Sequence, residues 1–199
     1  MAELPMFPLG TVLFPGGGLP LHVFELRYRA MVQICLAGDG EFGVVLIERG
    51  SEVGGGDVRS SVGTAAHIVE AIETADGRWA LLAAGVGRIR VVEWLPDDPY
   101  PRAEVEPWDD PAPGAEFVDA VAGSVGLLRR VVALKAEIGD QVVPVPNDLA
   151  GDPVLASYQA CGLAPVPTID KQRLLAAESP EARLALLDRL LSEEAEVLE

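Results

Sequence analysis

An uncharged stretch near the amino terminus limits the possible folds of this chain more than any other feature. Residues 4–24 contain no Asp, Glu, Lys or Arg, and a run of this length could span a bilayer as a helix. Four prolines and four glycines interrupt the run, however, and they remove backbone donors and favour turns. The stretch therefore predicts short buried strands at Met6–Phe7, Thr11–Phe14 and Leu19–Val23. Between the last two strands, Pro15-Gly16 is typical of the centre of a type II turn.

Helical periodicity begins directly after Phe24. Tyr28, Met31 and Cys35 recur at the spacing of one helix face, which predicts a helix near residues 26–37. Because Cys35 lies on the apolar face of this helix, we expect a buried thiol. Cys35 and Cys161 are the only cysteines, too few for a disulfide framework.

The rest of the first 108 residues is typical of β structure. Asp76-Gly77 lies between two long apolar runs, which is a strong hairpin signal. Gly85 and Gly87 interrupt the second run and indicate a bend or bulge. Strands are predicted at residues 42–48, 61–73, 79–94 and 100–108, with a polar loop at residues 50–61.

The chain from about residue 115 onward is expected to be nearly all helix, without a strand. Asp109–Gly114 has the composition of a linker. Asp152-Pro153 and Ser179-Pro180 each place a capping residue before proline, which is typical of a helix start, and the second would begin a helix over about 180–198. A further apolar helix seam is predicted at Val118, Val121, Val125, Leu128 and Val132.

Residues with catalytic or metal-binding chemistry are few. The only lysines, Lys135 and Lys171, do not follow a glycine-rich turn, so the chain has no phosphate-binding loop of the Walker type. Both are expected to be solvated surface residues. The only histidines, His22 and His67, lack ligand spacing and are interpreted as core or edge residues. We therefore predict no catalytic, cofactor or metal site.

The opening PMFPLGTVLFPGGGLPLHVFELRYRAM resembles the start of the Lon protease amino-terminal domain, a substrate-binding module. Further pieces that are similar to that family follow in its order at residues 42–46, 62–65, 87–91 and 170–175. The resemblance implies an α+β fold, with a PUA-like β pseudo-barrel holding one helix in residues 1–110 and a helical bundle in residues 111–199. The ATPase loop and the Ser-Lys dyad of full-length Lon proteases have no counterpart among these residues. We therefore expect a stand-alone member of the family.

The function implied by this resemblance is non-catalytic binding of proteins or action as an adaptor. The expected partners are unfolded or partly folded proteins that expose apolar segments, and a separate ATP-dependent protease is a second candidate. At the turn around Phe14, Pro15 and Leu19, we expect at least one apolar side chain to be exposed, because loops lie at the surface. Arg27 and Tyr28 complete this candidate protein-binding site. The alternative is that Phe14, Leu19 and Tyr28 are core residues and that Arg27 pairs with Glu25.

Net charge separates the remaining functional classes. The formal charge is −16, which opposes binding to phosphate backbones and to anionic membranes. A PUA-like RNA-binding protein and a small enzyme that uses only carboxylate chemistry are kept as alternatives. No Lys or Arg precedes Arg27 and prolines break the apolar run, so we expect no signal peptide and a cytoplasmic location. The oligomeric state is left open.

Overall fold

The structure, a computed structural model, describes residues 1–50 and 58–198. Its contacts divide the chain into two compact units, Met1–Asp109 and Asp110–Glu199. In the first unit the elements are β1 Ala2–Leu9, β2 Gly18–Val23, α1 Leu26–Ala37, β3 Glu41–Arg49, β4 Val58–Glu73, β5 Trp79–Leu95 and β6 Arg102–Pro107. In the second they are α2 Phe117–Glu137, α3 Pro153–Leu163, α4 Thr168–Leu175 and α5 Pro180–Leu198. Most of the predicted loop at residues 50–61 lies outside the described residues.

The six strands form one sheet that curls into an incompletely closed barrel. The strand order is β2-β5-β4-β3-β1-β6, and β6 also pairs with β5, so five strands form a ring. β1 and β3 are parallel, whereas the other pairs are antiparallel. The sixth strand, β2, pairs with the first half of β5. A sheet of this form beside helices confirms the predicted α+β class and pseudo-barrel.

Glycines let neighbouring segments of the barrel approach closely. A side chain at Gly63 would collide with the carbonyl of Val44 on β3, and one at Gly85 would collide with the carbonyl of Phe14. The ladder between β4 and β5 changes register between Gly85 and Gly87, which confirms the predicted bulge. On β3, Phe42–Leu46 are all buried, as expected for a strand covered on both faces.

The predicted strand at Thr11–Phe14 is wrong, whereas the predicted turn is confirmed. The N–H of Gly17 donates to the carbonyl of Phe14 at 2.9 Å, and Gly16 has a φ of 73°, as position i+2 of a type II turn requires. The segment before this turn contacts the barrel through isolated bonds, such as that from Thr64 Oγ1 to the Leu13 carbonyl at 2.6 Å. Because no ladder forms there, residues 11–14 are loop.

A buried ionic network joins three parts of the second unit. The side chain of Arg183 on α5 is fully buried, and its Nη2 donates to Asp110 Oδ2 at 2.9 Å. Its Nε donates to Ser157 Oγ on α3 at 3.1 Å, and the Tyr158 hydroxyl donates to Asp110 Oδ2 at 2.6 Å. The network therefore fixes the start of the unit against α3 and α5.

Two helices of this unit begin at the predicted capping residues, but two other predictions for the unit are wrong. Asp152 accepts from the N–H of Leu155, and Ser179 accepts from that of Ala182. Val118 was predicted in the buried seam but is exposed, because Phe117 fills that side of the first turn. Residues 138–152 are irregular, so the unit contains less helix than we expected. The expected absence of a strand holds for the described residues after Asp109.

The two lysines are not the solvated residues that we expected. Lys135 donates to Glu194 at 2.8 Å, and this hydrogen bond raises its pKa. Lys171 is half-buried, donates to the carbonyl of Gly162 at 2.9 Å and has a lowered pKa because burial penalises its charge. Both lysines therefore join helices of the second unit. None of the helices in the described part of the chain is long and apolar enough to cross a membrane.

Candidate functional site

The turn that was expected to expose an apolar side chain is buried instead. Phe14 is 3% exposed and Leu19 is 8% exposed, so the expectation that one of them lies at the surface is wrong. Both side chains turn inward, because the loop folds over the barrel and its backbone bonds to β5 through Gly16 and Gly85. Pro15 is buried as well.

Arg27 and Tyr28 match the alternative interpretation, in which Tyr28 is a core residue and Arg27 pairs with Glu25. Tyr28 is buried and its ring stacks on Phe7, with 4.3 Å between the ring centroids. Arg27 Nε donates to Glu25 Oε2 at 3.1 Å, and its guanidinium lies 4.5 Å from the centroid of the Tyr28 ring. Tyr28 is thus a core residue that reaches the wall of a pocket, and Arg27 holds Glu25 at the rim.

The exposed apolar side chains lie on the opposite face of β2. Leu19 and Val23 point into the core, so Pro20, His22 and Phe24 alternate outward, as strand geometry requires. Phe24, the first residue after the strand, is 56% exposed. This arrangement leaves an aromatic ring in contact with water.

Neighbouring strands extend this apolar row. Pro20 pairs with Leu82 of β5, and His22 pairs with Ala80. Ala80 in turn pairs with Ile72 of β4, and directly paired residues share a face of the sheet. Leu82 is 41% exposed and Ile72 is 55% exposed. We call the outward-facing residues Pro20, His22, Phe24, Ile72 and Leu82 the β2 surface.

Two pockets share Phe24 as a lining residue. The inner pocket has a volume of about 180 Å³ and lies between β1 and β2, where Phe7, Leu9 and Tyr28 form part of its wall. The hairpin pocket, of about 540 Å³, lies beside the turn between β4 and β5. His22, Val23 and Phe24 line both pockets, so Phe24 borders two depressions.

The charged groups around these pockets are already paired with each other. Glu25 at the inner pocket accepts from Arg27. At the hairpin pocket, Asp76 lies 3.0 Å from Arg78 and accepts from the Thr74 hydroxyl, a hydrogen bond that lowers the pKa of Asp76. The site therefore presents apolar surface with a neutralised rim, which suits a neutral apolar ligand better than an ion.

Groups for catalysis or metal binding do not converge at this site. Over residues 1–50 and 58–198, no three His, Cys, Asp or Glu side chains are arranged to hold a metal ion. Burial raises the pKa of the Cys35 thiol to about 11, so this cysteine stays protonated at neutral pH and is a poor nucleophile. The arrangement can bind and position a ligand through apolar contacts.

Sequence reasoning missed Phe24 although the signal was present. The prediction of a buried strand at Leu19–Val23 does not assign its alternate residues to two faces. Since Leu19, Leu21 and Val23 are spaced by two, Pro20, His22 and Phe24 must point the other way. What the sequence could not give was the pair of pockets, because they depend on β1 and on the hairpin between β4 and β5.

Comparison with known proteins gives consistent results. A family model described as the ATP-dependent protease La (LON) substrate-binding domain matches residues 3–193. Lon protease 2 of Myxococcus xanthus is 31% identical over 98% of this chain and 24% of its own length. The chain spans about a quarter of the length of the curated relatives that it matches first.

Solved structures show the same fold. The crystal structure of a Lon N-terminal domain protein from Xanthomonas campestris matches with a TM-score of 0.65 and 29% identity, covering 94% of this chain and 97% of that one. The N-terminal domain of Mycobacterium avium complex Lon protease matches with a TM-score of 0.69 and 20% identity, covering 96% and 99% of the two chains. Both matches extend over the barrel unit and the helical unit.

Proposed function

The chain belongs to the ATP-dependent protease La (LON) substrate-binding domain family, and we propose from this that it binds exposed apolar segments of unfolded or partly folded proteins. The family makes the chain a substrate-recognition module. The finer proposal, that the ligand is an apolar segment and that the β2 surface holds it, rests on the exposed Phe24, which borders both pockets.

Physical cost supports this location. Leaving a Phe side chain in water forgoes roughly 1.5–3 kcal/mol of burial. Exposed apolar surface that is rimmed by polar groups is typical of protein interaction sites. Phe24 would insert between apolar side chains of the ligand, and the inner pocket would accept a side chain of the ligand in return. Tyr28 contributes the wall of this pocket, and Arg27 contributes by keeping Glu25 neutralised.

We propose that binding takes place without catalysis and that a separate ATP-dependent protease or another partner acts on the bound protein. Support comes from the family, whose matched domain binds substrate, and from the absence of a phosphate-binding lysine motif in the sequence. The net charge of −16 disfavours the RNA-binding alternative. A cytoplasmic location remains our expectation.

The substitution Phe24→Ser tests the proposed site. A reduced, carboxymethylated lactalbumin serves as the unfolded ligand, and its dissociation constant is measured by fluorescence anisotropy. We expect binding to weaken at least about five-fold, because one exposed aromatic anchor contributes about 1–2 kcal/mol to a protein interface. The free energy of unfolding should change by less than about 0.5 kcal/mol, as is usual for surface substitutions.

Val143→Ser provides the matched control. Val143 is 65% exposed, similar to Phe24, but lies in the irregular segment of the second unit. Its substitution removes exposed apolar area and changes no residue of the β2 surface, so affinity should be unchanged. Equal affinities of Phe24→Ser and the unsubstituted chain would contradict the proposed site. An equal loss in both variants would indicate non-specific hydrophobic binding.

A further inference from the structure

A lysine in the helical unit has the surroundings of a reactive amine. Lys171 is one of only two lysines in the chain and lies in the first turn of α4. Its Nζ donates to the carbonyl of Gly162, near the end of α3, and this hydrogen bond of 2.9 Å is exposed. The residue as a whole is half-buried. A small solute can therefore reach the amine, although water solvates the side chain only in part.

The partner of this amine is a neutral carbonyl and not a carboxylate. The adjacent Asp170 is engaged elsewhere, since it accepts from Arg173 at 2.7 Å. No carboxylate in the described part of the chain bonds to Lys171. Cys161 is the other titratable group that acts on it, and its buried thiol stays protonated at neutral pH. Within that part of the chain, the Gly162 carbonyl alone therefore supports the ammonium form.

The other lysine provides a contrast within the same unit. Nζ of Lys135 lies 2.8 Å from Glu194 and 3.7 Å from Asp140, and the hydrogen bond to Glu194 raises its pKa. The pKa of Lys171 is lowered instead, because burial penalises its charge. An ammonium group is not a nucleophile, since the proton occupies its lone pair, and desolvation is one way in which proteins activate a lysine. At neutral pH, Lys171 therefore has a larger fraction of free amine than Lys135.

We propose that Lys171 is a site of acetylation by a small activated acyl compound, either an acyl phosphate or an acyl thioester. The free amine attacks the carbonyl carbon of the donor, and a C–N bond forms. The C–O bond to phosphate or the C–S bond to the thiolate breaks, and the leaving group takes the electron pair. The nitrogen loses one proton to water. Lysine is the usual side chain for this modification.

The product fits the surroundings of Lys171. An acetylated lysine is neutral, so the reaction removes the charge that burial penalises, while the remaining N–H can still donate to Gly162. A carbamate formed with carbon dioxide would instead add an anion to a chain whose net charge is already −16. At Lys135, acetylation would break the ion pair with Glu194. The fold therefore tolerates the modification at one lysine and opposes it at the other.

The experiment treats the full chain with acetyl phosphate in one arm and with acetyl coenzyme A in the other. The reaction is run at about pH 7.5, where an ordinary lysine is almost fully protonated, and is stopped at low conversion. Mass spectrometry of Glu-specific digests measures acetylation separately at Lys171, Lys135 and the amino terminus. We expect Lys171 to react at least about five-fold faster than Lys135, because more of it is free amine. A preference with either donor supports the proposal and identifies the source of the acyl group.

Two variants and a denaturant provide the controls. Glu194→Gln removes a partner of Lys135, so it should raise the rate at Lys135 and leave the rate at Lys171 unchanged. Lys171→Arg should remove the fast site without changing the rate at Lys135. In guanidinium chloride above the unfolding transition, the two lysines should react at the same rate, because the surroundings that distinguish them are lost. In the native chain, the rate at Lys171 should also level off at a lower pH than the rate at Lys135.

Several results would overturn the proposal. Equal rates in the native chain with both donors would show that the surroundings of Lys171 do not activate it. A preference that persists in the unfolded chain would assign the effect to local sequence and not to the fold. A rate at Lys171 that rises steeply in denaturant below the transition would show that the amine reacts only after local unfolding. Binding of unfolded lactalbumin should be the same in Lys171→Arg, so a failure here is distinguishable from a failure of the proposed function.

Stability gives an independent readout of the same surroundings. Lys171→Gln removes a charge that burial penalises, whereas Lys135→Gln removes one that Glu194 stabilises. The urea midpoint of Lys171→Gln should therefore be higher than that of Lys135→Gln. The reverse order would contradict the proposal, because it would show that the fold depends on the ammonium form of Lys171.

Discussion

At the scale of single residues, Arg183 stands out as a charged side chain that is fully buried. It is the largest fully buried side chain in the described part of the chain, and its charge is balanced by Asp110. Such a pair adds little net stability compared with an apolar pair, yet losing one partner is costly because the other charge stays buried. The stability of the helical unit therefore depends on Asp110, although the sequence pattern assigns this residue only to a linker.

Asp110→Asn tests this dependence. The change keeps the shape of the side chain but removes the charge that faces Arg183 and Tyr158. We expect the free energy of unfolding of the helical unit to fall by about 3–5 kcal/mol, the usual cost of breaking a buried pair. Urea unfolding followed by far-ultraviolet circular dichroism measures it, since this signal comes mainly from helices. The exposed neighbour serves as control, and Asp109→Asn should shift the transition by less than about 0.5 kcal/mol.

At the scale of elements, the packing of β4 against β3 depends on a residue without a side chain. A Cβ at Gly63 would overlap the carbonyl of Val44, which belongs to a paired strand and cannot move aside. Gly63→Ala should therefore cost about 1–3 kcal/mol, the usual cost of overpacking. Gly87 on β5 has open space around its Cβ position, so Gly87→Ala should be close to neutral. Equal effects of the two substitutions on thermal unfolding would show that the strand propensity of alanine, and not the overlap with the Val44 carbonyl, determines the change in stability.

The elements also show how far sequence reasoning could reach. Local patterns sufficed for α1, for the hairpin at Asp76-Gly77 and for the start of α5, because caps, turn residues and periodicity act over a few positions. They failed at Thr11–Phe14, where β-type residues form a loop because no neighbouring strand is available to pair with them. They also failed at Val118, since Phe117, one position earlier, is better placed to fill the core. The pockets beside Phe24 depend on strands distant in sequence and could not be derived from local patterns.

At the scale of the whole molecule, the negative charge is shared evenly between the two units. Residues 1–109 contain 16 acidic and 8 basic residues, and residues 110–199 contain 15 and 7, so each unit carries a net charge of −8. The β2 surface therefore lies in a negative field, which attracts basic segments and repels acidic ones. For the β2 surface, whose own rim is neutralised, this field acts on the rate of encounter more than on the contacts themselves.

Each unit also contains one cysteine, whose reactivity shows whether that unit is unfolded. Cys35 is in the barrel unit and Cys161 is in the helical unit, and both thiols are free and buried. Burial raises the pKa of Cys35 to about 11 and that of Cys161 to about 12. Since the thiolate is the reactive form, both cysteines should be almost inert in the native protein at about pH 8, where an exposed thiol reacts readily. In the unfolded chain both should react at the rate of a free cysteine.

Labelling with a disulfide reagent in increasing urea tests this expectation in the single-cysteine variants Cys35→Ala and Cys161→Ala. The thiol of each variant should become reactive only as the unit that contains it unfolds, because local motion at the surface does not reach a fully buried sulfur. Asp110→Asn, combined with Cys35→Ala, should move the labelling of Cys161 to lower urea. Combined with Cys161→Ala, it should leave the labelling of Cys35 unchanged, because Cys35 belongs to the barrel unit and Asp110 to the helical unit. Rapid labelling of either thiol without urea would contradict the buried positions on which the prediction rests.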